Sequence, residues 1–419
     1  MIKYIYIHIG VHKTGSTTIQ NSLANKQDLL KNHGFLYPIF SAKTSLITNH
    51  SVPFVSMFRS HPEAYFDNKI NRITTQGEIA YLHQQYEEQL AFQIANFSGD
   101  KLILSGEGIC TFNVDELTRL KHFISQFTSS DTRTQIVMFC RNPIKRLNSI
   151  IVQLIRNKGG TLQSSIEKTP IPKKYYRSRI SYLSEVFGKE NITIIRFEDA
   201  VKHPCGPTGS LLQAIGVEAQ VIDQFENIRY NSASTYEALT IFSAIHESCP
   251  YVDDLPYSYQ SETLDLLTPL PGQKFVLPQK TQKLNWEGSK QDVDWLCETF
   301  SIEKYAYEEE EVPAIYTKWG VETINYLHKI IGDLPDLVKK TILDVLLAEL
   351  KMYKKEFPWD KKKKLFAFVL YYSLYWQLGS RLKKFRYIEN KLGFFTTLSY
   401  GGNYLINKFI DRILYKKQI

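Results

Sequence analysis

Cysteine is scarce in this chain. Its five residues (Cys110, Cys140, Cys205, Cys249 and Cys297) are odd in number and scattered, with no C-x-x-C pair and no histidine clustered at metal-ligand spacing. A disulfide framework and a structural zinc are therefore not expected, and a reducing compartment fits. Low-complexity sequence is also missing: no long stretch is biased toward a few polar residue types, which removes disorder as the default. The N-terminus lacks the basic, apolar and small-residue layout of a signal peptide, so no cleaved leader or N-terminal membrane anchor is expected.

What is present is ordinary globular composition, with 43% hydrophobic and 22% charged residues among 419. That length exceeds one compact domain of about 100–200 residues and predicts a large α/β core with an added C-terminal region. The net charge of +8 is unevenly spread. Residues 361–419 carry 13 Lys and Arg against 2 Asp and Glu, a local excess of +11 that leaves the preceding residues at −3.

Short β-branched or aromatic runs occur at 3–9, 101–105, 134–140 and 192–197, separated by segments long enough for helices. Helical spacing of apolar residues marks 17–33, 79–96, 116–127, 143–157 and 175–187, while 38–75 reads as an irregular excursion. Strands alternating with helices predict a parallel sheet with crossover helices, whose ligands sit beyond the carboxyl ends of the strands. The boundaries expected are a core over 1–250, a Pro-rich connection and acceptor-side segment over 251–300, and a helical region over 301–419. Within the last region, helices are expected at 323–331, 334–353 and 361–417.

Two segments follow strands and open helices. In the first, Gly10 to Thr18, unpaired backbone N–H groups and the positive end of a helix dipole make a site for a phosphate-like anion. An ATP-type P-loop needs Lys and Ser/Thr directly after its second glycine, but here Ser16 follows Gly15 and the lysine is Lys13, inside the loop. In the second, Cys140 to Ser149, Asn142 is a plausible N-cap with Pro143 at the first helical position. Arg141 at the strand end and Ser149 on the helix can both reach an anion there, and Arg146 lies on the same face as Ser149. Alone, the first segment is equally compatible with a strand-to-helix turn bearing an exposed lysine, and the second more often forms a capped helix with solvated charges.

The two segments in this order resemble the PAPS-dependent sulfotransferases, where PAPS is 3′-phosphoadenosine-5′-phosphosulfate. Lys13-Thr14-Gly15-Ser16-Thr17 matches that family's 5′-phosphosulfate loop, and Arg141-Asn142-Pro143 followed by Ser149 matches its 3′-phosphate motif. Phe187-Gly188, Ile194 to Asp199 and Leu211 to Val217 extend the resemblance over roughly residues 2 to 235. The resemblance implies a P-loop-type parallel sheet flanked by helices. It also implies PAPS as sulfuryl donor, held by His12, Lys13, Thr14, Gly15, Ser16, Thr17, Thr18, Arg141 and Ser149, with Lys13 on the bridging oxygen and no metal. The Arg-Lys-Gly motif found late in many cytosolic members is not evident, and Asn231 to Ser234 are expected to close over the nucleotide instead. The opening His8 to Gly15 and Asn49-His50-Ser51 are similar to the bacterial polysaccharide branch, which implies a carbohydrate acceptor. The acceptor hydroxyl needs a general base, for which His50 stands slightly ahead of Glu107. His8 is expected to point into or across the sheet and His12 to support the loop.

Leu365 to Gly379 is apolar but spans roughly 22 Å as a helix, short of a bilayer core of about 30 Å. With basic residues on both sides, it reads either as an interfacial helix on an anionic membrane, with a lipid-linked glycan as acceptor, or as a buried helix with solvated flanks. The location expected is cytoplasmic, peripheral on the membrane face, with no nucleic-acid partner. Competing classes are a P-loop kinase or phosphotransferase, which the displaced lysine disfavours, and a non-catalytic membrane-surface protein, which has no need of two anion loops.

Overall fold

The β-branched runs build a parallel sheet whose strands are β1 (Ile2–Gly10), β2 (Phe35–Leu36), β3 (Lys101–Ser105), β4 (Thr128–Cys140) and β5 (Ile192–Arg196). Their spatial order is β2-β3-β1-β4-β5, every pairing parallel. The computed structural model describes residues 2–11, 13–42, 45–169, 174–227, 234–248, 251–252, 255–256, 261–312, 319–353, 368–369 and 372. His12, Asn231, Ser232 and nearly all of the basic tail lie outside these residues.

Helices of eight residues or more are α1 (Ser16–Asn25), α2 (Ser51–Phe58), α3 (Gln76–Ala95), α4 (Val114–Ser125), α5 (Pro143–Asn157) and α6 (Tyr175–Phe187). They continue as α7 (Gly206–Ala214), α8 (Tyr236–Ser248), α9 (Gln279–Phe300), α10 (Val321–Ile330) and α11 (Asp336–Tyr353). The chain divides into two compact units. The first comprises Met1–Gln153, Ile166–Ser232 and Val276–Val312, and the second Leu154–Ser165, Ala233–Phe275 and Pro313–Ile419.

In the first unit the sheet has an apolar layer on each face, because successive strand residues point to opposite sides. Ile5, Ile7, Ile9, Leu102, Leu104, Ile136, Met138, Ile192 and Ile194 pack with residues of α2, α3, α4, α6 and α9. Ile103, Val137 and Phe139 pack on the other side with Ile19 and Leu23 of α1 and Leu211 and Leu212 of α7. Reciprocal capping boxes start α3 (Thr75 with Glu78) and α4 (Asn113 with Glu116). α6 lacks a cap of its own and takes one from α9, where Asp292 accepts hydrogen bonds from the backbone N–H groups of Tyr176 (2.7 Å) and Arg177 (3.0 Å).

The alternating strands and helices match the sequence reading, with local differences. The helix read over 17–33 is broken at Lys26 into α1 and a short helix over Gln27–Asn32. β2 is two residues long, too short to show a period. β4 starts at Thr128, six residues before its apolar run, because Ser130 and Asp131 stand exposed at its polar end. The excursion over 38–75 contains a small antiparallel pair (Phe40–Ala42 with Ser45–Ile47) and α2.

In the second unit α8 packs on α11. The fully buried Glu237 of α8 accepts from the backbone N–H of Gln273 (2.8 Å) and of Trp319 (3.1 Å), fastening two loops to the helix. Among the described residues no helix is long and apolar enough to cross a membrane. The helices expected at 323–331 and 334–353 are α10 and α11, while most of 361–417 lies outside the described residues.

Removing the shared cap tests the packing of α9 on α6. Asp292→Ala should cost about 1–2 kcal/mol, read as a lowered urea midpoint with an unchanged denaturant slope.

Candidate functional site

Parallel register sets the site. His8 pairs with Ser105 and Val137, Gly10 with Phe139, and Cys140 with Arg196, so β3, β1, β4 and β5 end along one edge. The next residues, Gly106-Glu107, Val11, Lys13 to Gly15, Arg141 and Phe197, all leave from that edge.

The loop after β1 is tight. Lys13 and Gly15 both have φ 77. A lysine in the left-handed region carries strain of about 1–2 kcal/mol, and alternating left- and right-handed residues turn successive N–H groups toward a common concavity. Thr14 is fully buried, its hydroxyl donating to the carbonyl of Val11 (2.7 Å), so its side chain is spent inside the loop. A Cβ on Gly10 would lie 2.2 Å from Ser16 Oγ and 2.7 Å from Thr14 Oγ1, which is why the loop folds back only over a glycine. No side chain caps α1 and no acidic residue lies in its first turn. Ser16 Oγ is buried without a partner. Uncapped N–H groups, an orphaned hydroxyl and a half-buried lysine fit an anion.

Arg141 joins this loop to the second motif. Its Nη1 donates to the Lys13 carbonyl (2.5 Å) and to Ser149 Oγ (3.1 Å), and its guanidinium lies 5.1 Å from the centre of the Phe197 ring. The Phe197 ring also lies 3.0 Å from where a Gly15 Cβ would stand, so one aromatic backs both loops. Arg141 Nε is buried and unpartnered. The Tyr176 hydroxyl donates to the Arg141 carbonyl (2.7 Å) and accepts from its N–H (3.0 Å). Asn142 caps α5 as read, accepting from Ile144 N (2.9 Å), while Glu198 accepts from Asn142 N (3.0 Å). Arg146 does not join Ser149: its guanidinium stacks on Tyr175 at 3.9 Å.

His50 is corrected as a base. Fully buried, it stacks on Tyr37 at 4.5 Å. Its Nδ1 accepts from the Ser105 backbone N–H (2.9 Å), which leaves the proton on Nε2, donating to the Pro38 carbonyl (2.7 Å). Both nitrogens are thus occupied, and burial pulls its pKa down to about 4. The Asn49-His50-Ser51 segment is a clasp. Asn49 Oδ1 accepts from Gln20 and from Ser51 N, and Ser51 Oγ accepts from Gly108 N, tying α2 to the end of β3. His8 bonds Ser105 Oγ (2.8 Å) beneath the loop, with burial lowering its pKa to about 3. Glu107, half-buried, opens the short 3-10 helix Glu107–Thr111 on the strand beside β1, at the same edge as Lys13.

No protein-family model matches the chain, and no curated protein matches it either. Solved structures similar to it include two sulfotransferases. One is a sulfotransferase from Alicyclobacillus acidocaldarius, at 14% identity over 72% of this chain and 97% of that chain, TM-score 0.38. The other is the sulfotransferase domain from the curacin biosynthetic pathway, at 12% identity over 73% and 99%, TM-score 0.33. Both are sulfotransferases by name.

The structure brings Lys13, Gly15, Ser16, Arg141 and Ser149 together, with Thr17 exposed and Thr18 half-buried in the first turn of α1. The supporting roles of Phe197, Glu198, Tyr176 and Gln20 were not read from the sequence. For Phe197 and Glu198 the signal was available, since they directly follow β5 and so leave from the same edge.

The neutral histidines give the protein a pH signature. Each has a folded pKa below its unfolded value near 6.5, so the stabilisation is full above pH 6.5 and fades as pH falls toward 4. The unfolding midpoint should drop across that window, and His50→Gln should flatten the drop.

Proposed function

We propose that the chain is a sulfotransferase that moves a sulfuryl group from PAPS to a carbohydrate hydroxyl. The observation that carries this reading is the Arg141 guanidinium, which ties the Lys13 loop to Ser149 and keeps a buried Nε unused. Two anion sites at the ends of neighbouring strands suit a donor phosphorylated at both its 5′ and 3′ positions. The Gly10 to Thr18 loop takes the 5′-phosphosulfate and Arg141 with Ser149 takes the 3′-phosphate.

The chemistry asked of the protein is alignment and charge stabilisation. The acceptor oxygen forms a bond to sulfur as the bond from sulfur to the bridging oxygen breaks. The electron pair goes to that oxygen, where the Lys13 ammonium stabilises the growing charge. Glu107 takes the acceptor proton, the role left to it once the nitrogens of His50 are occupied. The carbohydrate class rests on the similarity of His8 to Gly15 and Asn49 to Ser51 to the polysaccharide branch. The basic, aromatic tail over 361–419 is proposed to bring the enzyme to an anionic membrane surface on the cytoplasmic side, where a lipid-linked glycan is presented.

Calorimetric titration with adenosine 3′,5′-bisphosphate, in parallel with ATP and magnesium, decides the donor. Bisphosphate should bind without metal, and Arg141→Ala should weaken it by about 100-fold through the loss of charge-assisted hydrogen bonds. Preference for ATP with magnesium sinks the reading and favours a kinase. Lys13→Ala should lower kcat for sulfuryl transfer by about 100- to 1,000-fold with a far smaller change in bisphosphate affinity. Equal losses in both would show that Lys13 serves binding alone.

A further inference from the structure

The inward face of α9 changes character along its length. Val293, Leu296 and Cys297 join the apolar core under the sheet, but the preceding positions on that face, Gln282, Asn285, Ser289 and Asp292, are polar and at most 4% exposed. The spacing of three, four and three residues keeps them on one stripe. Asp292 caps α6 at Tyr176, whose hydroxyl grips Arg141 at the end of β4, so the polar half of α9 overhangs the carboxyl edge of the sheet.

The ends of the stripe are satisfied. Gln282 bonds the carbonyls of Leu277 (2.8 Å) and Glu310 (2.9 Å) and accepts from Glu310 N, and Leu277 N in turn donates to Asn148 of α5. Its middle is not: Asn285 Oδ1 and Nδ2 and Ser289 Oγ are buried with no partner. Arg146 of α5, whose guanidinium stacks on Tyr175 beside the Tyr176 N–H that Asp292 caps, shares the deficit. It is 3% exposed, its Nε is buried and unpartnered, and among the described residues its guanidinium makes no hydrogen bond or ion pair. It stacks on the Tyr175 ring, and Arg179 flanks that ring from 5.5 Å with its own Nε unpartnered. Cys110, which meets the Tyr175 hydroxyl, lies within electrostatic reach of Arg146, Arg179 and Glu107.

An always-charged guanidinium is not buried unpaired without cost, and a side-chain amide with neither of its groups satisfied is rare. Together they define a ligand with a negative group for the arginine forks and hydroxyls for the amide and the serine. We infer that Arg146, Arg179, Asn285 and Ser289 form an acceptor subsite beside Glu107 for a sugar bearing a carboxylate or ester sulfate. This rests on the sulfotransferase reading only in naming the ligand an acceptor; the subsite itself is tested by binding.

The full chain, with and without saturating adenosine 3′,5′-bisphosphate, is titrated with a uronate-containing hexasaccharide and its carboxyl-reduced counterpart, and with a neutral hexasaccharide and its sulfated form. In at least one pair the acidic member should bind about tenfold or more tighter. Arg146→Gln should abolish that preference. Asn285→Asp, nearly isosteric, sets a carboxylate against the arginine and should abolish it too, which guards against a folding defect in the first variant. Equal affinities within both pairs, as expected if only water fills the space, or a preference unchanged in both variants, overturn the subsite. Failure of bisphosphate binding in the same experiment counts against the donor assignment instead.

Discussion

The site depends on one side chain held across a long sequence separation. Arg141 leaves the end of β4, yet its guanidinium is anchored on the Lys13 carbonyl 128 residues earlier and on Ser149 one helix onset later. Neither loop can shift without breaking a charge-assisted hydrogen bond, so the lysine and the orphaned Nε keep a fixed relation before any ligand arrives. Preorganisation of this kind matters because a group that must reorganise during the reaction gives back part of the stabilisation it supplies.

The anchor exists because the sheet is parallel and its register is strict. Parallel pairing of β1 with β3 and β4 brings all their carboxyl ends to one edge, and the apolar alternation of Ile5, Ile7 and Ile9 on one face fixes which residues emerge there. A one-residue slip of β1 would turn that isoleucine face away from the helices that cover it. Beneath the edge, His8, Ser105, His50 and Gln20 close a buried hydrogen-bonded layer that supports the loop from below.

The buried polar groups named for this unit fall into those with protein partners and those without. His50, Asp292, Gln282 and Tyr176 have found protein partners and hold segments in place. Ser16, Arg141 Nε, Arg146 Nε, Asn285 and Ser289 have not. Since an unsatisfied buried donor costs more than a typical hydrogen bond returns, the second group supports the proposed donor and acceptor sites.

Much of this was open to reading in the sequence, and the limits have physical causes. The strand cores, α5 and α6, and the two strand-to-helix loops were legible because they depend on local alternation, helical spacing and cap chemistry within a few residues. β2 and the start of β4 were not, because pairing partners rather than composition make them strands. Asn49-His50-Ser51 was visible as a motif, but its role was decided by Pro38 and by Ser105, 55 residues further along. The same holds for Arg146, which the helix period places beside Ser149 and the packing of α6 draws over Tyr175. The sequence by itself determined the apolar strand cores, the periodic helices and the two strand-to-helix loops, since those follow from neighbours in the chain. Only the tertiary structure decided which buried side chains are satisfied, because partners are set by contacts between distant segments.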